Sequence, residues 1–117
     1  MISPFWNSAY EIVTVFINGK FRKVYKHQWR IIERLNLPFK FHFKKRNMTV
    51  HHLDGNKLNN EYDNLLFISL DDHIKLHSSS TSEEERNVII SKWKEYMVEL
   101  EAKGKERIDT IHAVLVN

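Results

Sequence analysis

The dipeptide Asn18-Gly19 stands between two runs rich in β-branched and aromatic residues, 10–17 (YEIVTVFI) and 20–25 (KFRKVY). A two-residue hairpin turn needs φ > 0 at both central positions, which Asn and Gly tolerate better than other residues. The chain is therefore expected to open with a β-hairpin. Residues 27–37 (HQWRIIERLNL) then change period, with Trp29, Ile31, Ile32 and Leu35 on one helical stripe and Pro38 closing it.

Residues 39–46 (FKFHFKKR) alternate aromatic and basic side chains. After them come residues 50–53 (VHHL), a Gly/Asn-rich stretch at 54–60 and an apolar run at 65–68. Residues 69–77 read as a short helix, with Ser69 as N-cap and Asp71 and Asp72 in the first turn. The local order is strand, loop, strand, helix. A polar connector (78–82) leads into a second long helical pattern at 82–103. There Ser82 and Glu85 make a capping-box pair, and Ile89, Trp93, Tyr96 or Met97, and Leu100 recur at helical spacing. Gly104 is expected to stop that helix, and residues 108–116 are apolar enough to pack as either strand or helix.

With 117 residues and no internal repeat, these elements make one compact α+β domain. Hydrophobic content of 42% and charged content of 28% suit a soluble globular protein. No apolar stretch is long enough for a membrane span, and residues 1–10 lack a charged start followed by an apolar block. A cytoplasmic setting is the expectation. The chain has no cysteine, so disulfide scaffolds and thiolate metal sites are excluded, and a metal would fall to His, Asp, Glu or Asn. The net charge of +3 divides unevenly: residues 1–50 carry +8, residues 51–80 carry −3 and residues 81–117 carry −2. A basic first half suits a polyanion met by one face, and a solvated charged surface is the plainer alternative.

The chemistry concentrates in residues 51–77. His73 and His77 are four apart, so on a helix both rings leave one face and can grip one cation. His51 and His52 are neighbours on an extended strand, where successive side chains point to opposite sides. One of them can join the helix pair while the other stays free. A free imidazole titrates near pH ~6.5 and can act as a base at neutral pH. Beside a bound cation that is the equipment for phosphodiester hydrolysis. Three neutral nitrogens favour zinc, nickel, cobalt or manganese, and magnesium less so unless a phosphate adds oxygen ligands.

Residues 50–77 (VHHLDGNKLNNEYDNLLFISLDDHIKLH) resemble the HNH endonuclease motif, particularly in its phage and intron-encoded homing-endonuclease branch. The match has no gap, and GKFRKVYKHQWRIIERL before it resembles the hairpin and helix that lead into the motif there. The resemblance spans about residues 18–77. It implies a ββα-metal (His-Me finger) core preceded by a hairpin and helix, residues 10–37, within a nuclease domain of residues 1–80. Residues 81–117 would form a C-terminal helical extension.

The resemblance also implies roles. His51 and His73 would hold one divalent metal (Zn, Mg, Mn or Ni), with His77 as a further ligand of the kind found in toxin-type members. His52 would be the general base, and Asn64 would hydrogen-bond across the loop to hold the His52 strand. Such enzymes cut double-stranded DNA to leave a 5′-phosphate and a 3′-hydroxyl. Some homing enzymes have Asp where His51 stands, which bears on metal preference. Many also carry a DNA-reading module after the catalytic part, yet residues 78–117 show no glycine-rich repeat and no basic recognition helix.

Lys40, Lys44, Lys45 and Arg46 are the candidate DNA contacts, with Arg22, Lys23 and Lys26 as an extension. The alternative is a loop whose phenylalanines cap the core while its lysines stay wet. The 82–103 helix is expected to pack on the domain, a homodimer seam being the other use of its stripe. His27, His42 and His112 lack a partner at ligand spacing and read as structural or surface residues. Two rivals to a nuclease remain: a DNA-binding module that does not cut, and a structural metal finger of a phage or mobile-element assembly.

Overall fold

The computed structural model describes residues 9–106 and the backbone of residues 113–115. His112 and most of the 108–116 segment lie outside the described residues. The elements run β1 (Ile12–Ile17), β2 (Lys20–Tyr25), α1 (Lys26–Leu35), β3 (Met48–His52), β4 (Leu65–Ser69), α2 (Leu70–His77), α3 (Glu83–Lys105) and β5 (Ala113–Leu115). This is a small α+β fold. One antiparallel sheet has the order β2-β1-β5, and the other is the pair β3-β4.

The hairpin forms where its turn chemistry demands. Asn18 has φ 51° and Gly19 φ 77°, so both central residues are left-handed and Ile17 pairs with Lys20. Alternation along β1 buries Val13, Val15 and Ile17 and leaves Phe16 outside beside Phe21, with ring centroids 4.9 Å apart. α1 buries Trp29, Ile31, Ile32 and Leu35, the stripe read from its sequence. It ends at Asn36, whose φ of 54° breaks the helix two residues before Pro38. β4 is buried on both faces: Leu65, Leu66, Phe67 and Ile68 are each at most 2% exposed. At ~1.5–3 kcal/mol per fully buried side chain, this strand anchors the core.

The connectors have their own supports. Ser69 accepts a hydrogen bond from Asp72 N at 3.1 Å and caps α2, and Ser82 does the same for Glu85 N in α3. Arg86 donates to the carbonyls of Leu76 and Ser78, so the start of α3 satisfies the carboxyl end of α2. Asp72 accepts from Trp93 Nε1 at 2.7 Å and from Lys92 at 3.3 Å, which ties the two helices sideways. Met97, not Tyr96, is the buried member of the α3 stripe, at 6% exposed. After α3 the chain comes back to the first sheet, where residues 113–115 pair with β1.

Gly104 differs from its sequence reading as a helix stop. The helix runs through it to Lys105, and Gly104 is buried against the end of α1. A Cβ there would lie 2.5 Å from the carbonyl oxygen of Leu35 and 3.1 Å from Asn36 Cβ. Asn36 Nδ2 donates to the Gly104 carbonyl at 2.9 Å, which fixes the approach. The absent side chain therefore serves a helix crossing. Alanine would add about 1 kcal/mol of helix propensity, but the obstacle is backbone, and overpacking costs ~1–3 kcal/mol. Gly104→Ala is expected to lower stability by up to about 2 kcal/mol, read as a reduced urea midpoint with an unchanged slope.

Candidate metal centre

β3 carries two adjacent histidines because its alternation continues to the end of the strand, with His51 opposite Leu66 and His52 opposite Leu65. His51 faces α2, where His73 and His77 are one turn apart. The three rings meet: His51 lies 5.1 Å from each of the other two centroids, which are 4.6 Å from each other. One nitrogen from each of the three falls within 4.8 Å of the others, and the Nε2 atoms of His73 and His77 are 3.0 Å apart. Tetrahedral coordination at ~2.0–2.1 Å per Zn–N bond places ligand nitrogens about 3.3 Å apart, so small ring rotations suffice. These residues could hold one divalent cation through three borderline-soft donors.

The cluster is also electrically prepared. His51 is pushed down to about 4, first by burial and then by the neighbouring His73, His77 and His52. Burial, followed by His77, lowers His73 as well. Both rings are thus neutral at pH 7, the form that ligates a metal.

His52 points the other way and is 6% exposed. Its Nε2 donates to Asn60 Oδ1 at 2.9 Å, and its ring packs 5.4 Å from His27 and 6.2 Å from Tyr10. His52 and the three-histidine cluster nonetheless line one cleft of about 470 Å³, whose far wall includes Tyr10, Tyr25, His27 and Lys57. Lys57 Nζ lies 5.1 Å from the Tyr10 ring centroid and gives the cleft a cation.

Asn64 spans the loop between β3 and β4. Its Nδ2 donates to the Asn59 carbonyl and to Asp54 Oδ1, both at 2.9 Å, and its Oδ1 accepts from Asp54 N at 3.1 Å. Asp54 also takes Asn59 Nδ2 at 2.9 Å and Asn56 N at 2.8 Å. These donors hold the Asp54 carboxyl below its ordinary range, Asn59 contributing most.

The four loop cations are placed elsewhere. Lys40, Lys44, Lys45 and Arg46 are exposed on the segment joining α1 to β3, and none lines the histidine cleft. Phe43 is buried there, and Phe41 and Phe43 pack edge-on to Phe67. Lys40 instead lines a shallow groove with Lys20 and Arg22. His42 is exposed and accepts from Lys45 N at 3.3 Å. Sequence reasoning singled out neither Lys57 nor Tyr10, and it treated Asn60 only as part of a pair. Their roles depend on packing between segments remote in sequence.

A scan against protein-family models and searches of curated proteins and of solved structures each return no match to the chain. Among the described residues, no helix is long and apolar enough to cross a membrane.

Two outcomes are expected from this geometry. Calorimetric titration with Zn²⁺ should give one site per chain, and His73→Ala should weaken it at least ~10-fold. Undiminished affinity in that variant would remove His73 from the site. His27 supplies the second. It is 7% exposed, its Nδ1 has no partner among the described residues, and burial, then His52, pushes it down to about 4. A histidine harder to protonate when folded lets the unfolded chain bind more protons. Its contribution is whole above pH ~6.5 and is lost as pH falls toward about 4. Urea denaturation of the metal-free protein should show stability dropping across that window, with a shallower drop in His27→Phe.

Proposed function

We propose that this chain is a metal-dependent DNA endonuclease of the HNH kind, with β3, β4 and α2 as its ββα-metal finger. The observation that carries the reading is the convergence of His51, His73 and His77 in one cleft with a fourth, separately held histidine, His52. A ligand cluster alone would suit a structural metal site. An additional imidazole with a free ring nitrogen beside the cluster suits hydrolysis.

In this reading His51, His73 and His77 hold the cation. When bound, the cation supplies Lewis-acid stabilisation of charge on the phosphate and on the leaving oxygen. His52, donating through Nε2 to Asn60, keeps the lone pair of its neutral ring on Nδ1. That nitrogen takes a proton from water as the water oxygen bonds to phosphorus. The bond from phosphorus to the 3′-oxygen breaks, the 3′-oxygen takes a proton from solvent, and the products are a 5′-phosphate and a 3′-hydroxyl. Lys57, on the cleft wall, offsets the negative charge of the incoming strand. Asn64 holds the loop that follows His52, because its hydrogen bonds join both arms of that loop.

The test is supercoiled plasmid incubated with EDTA and then with added Mg²⁺, Mn²⁺, Zn²⁺ or Ni²⁺. Metal-dependent conversion to nicked or linear DNA is expected, and His52→Ala should slow it by ~10²–10⁴-fold while leaving the fold intact. Cleavage by His52→Ala at the wild-type rate would overturn the assignment of the base. A wild-type protein that binds metal and leaves DNA uncut under every metal would favour a non-cleaving metal finger.

A further inference from the structure

The loop between β3 and β4 is rich in asparagine, and most of these side chains serve the loop itself. Asn56 Oδ1 accepts from Leu58 N at 3.0 Å, Asn59 bonds to Asp54 and to Glu61 N, and Asn64 bonds to Asp54 and Asn59. Asn60 departs from this pattern. It is 4% exposed, and its one side-chain hydrogen bond among the described residues goes to His52, at 2.9 Å. Its Nδ2 is buried without a partner.

A buried donor left unmade costs ~1–3 kcal/mol, so an apolar residue would suit this interior position better on stability alone. What the amide offers in return is an acceptor at a fixed place. A carbonyl oxygen cannot donate, so the histidine nitrogen facing it must carry the proton. The His52 ring is held at Nε2 by Asn60 Oδ1. The neighbouring Asn59 carbonyl is pinned by Asn64 Nδ2, so the backbone that presents Asn60 is itself fixed.

We infer that Asn60 is the positioning residue of His52, setting its tautomer and ring orientation through this buried hydrogen bond, and that Asn64 acts on His52 through Asn60. The inference deepens the nuclease reading and rests on it for its consequence, but the tautomer stands as a property of the folded chain. Asn60 touches neither substrate nor metal. It decides which ring nitrogen of His52 offers a lone pair. With Nε2 protonated, that nitrogen is Nδ1. Without Asn60, the ring can flip or change tautomer, and the base is correctly presented only part of the time.

Two-bond ¹H–¹⁵N correlation spectra of the full chain, uniformly labelled and free of DNA, read the tautomer directly. The wild type should show His52 protonated on Nε2. Asn60→Leu should turn this into a mixture of tautomers, whereas Asn60→Asp, which keeps an acceptor in place, should restore the Nε2–H form. On plasmid with added Mn²⁺, Asn60→Leu should lower kcat on the order of 10²-fold with KM little changed, and Asn60→Asp should recover part of the loss. An Nδ1–H tautomer in the wild type would overturn the inference even if Asn60→Leu failed to fold. So would a well-folded Asn60→Leu protein whose His52 tautomer matched the wild type. The spectra need no cleavage, so they decide the role of Asn60 whether or not the chain cuts DNA.

Discussion

The register between β3 and β4 is the constraint on which the cleft depends. Val50 lies opposite Phe67, His51 opposite Leu66 and His52 opposite Leu65, and β4 is buried along its length. Successive strand residues point to opposite faces, so this pairing sends His51 toward α2 and His52 toward α1 and the hairpin. A slip by one residue would exchange the two histidines and push Val50 out of the core. The slip is opposed by the four apolar residues of β4 and by Leu53 N, which donates to the Asn64 carbonyl where the loop begins. The geometry of the histidines is therefore inherited from the packing of residues that carry no chemistry.

α2 is short, and its position is held from outside. Eight residues form no stable helix alone, since nucleation costs more than so few hydrogen bonds return. Ser69 caps its start, Arg86 takes the carbonyl groups at its end, and Asp72 is bound by Trp93 and Lys92 from α3. α3 is thus part of the apparatus that aims His73 and His77 at His51. Its own seat on α1 passes through Gly104, where the backbone meets the end of α1.

Much of this was legible in the sequence, for local reasons. Asn18-Gly19 dictates its turn, a change of period marks α1, and Ser69 and Ser82 announce their helices through side chains that reach only three residues. The i, i+4 pair on α2 needs nothing but helical geometry to bring its rings together. What could not be read required knowing which remote segments meet. Gly104 looks like a helix terminator until Leu35 is placed beside it. His27 has no partner at ligand spacing, yet it is buried against His52 because α1 packs on β3. The alternating loop at 39–46 reads from sequence as a DNA contact, with capping of the core as its alternative. In the fold its phenylalanines turn inward, and its cations stay in water away from the histidine cleft.

The cleft gathers five histidines that a metal-free chain has reason to keep apart. Burial, followed by the neighbouring histidines, pushes His27 and His51 down to about 4. Neutrality removes the repulsion and lets the rings hydrogen-bond, as the Nε2 atoms of His73 and His77 do at 3.0 Å. A cation bound among three such nitrogens would replace that hydrogen bond with coordination, and its binding free energy would also be stabilisation of the fold. His52 is kept out of the cluster by the strand's alternation, and its Nε2 is engaged by Asn60. Under the nuclease reading, His51 is committed to the cation and His52 to a proton because they face opposite sides of a single strand.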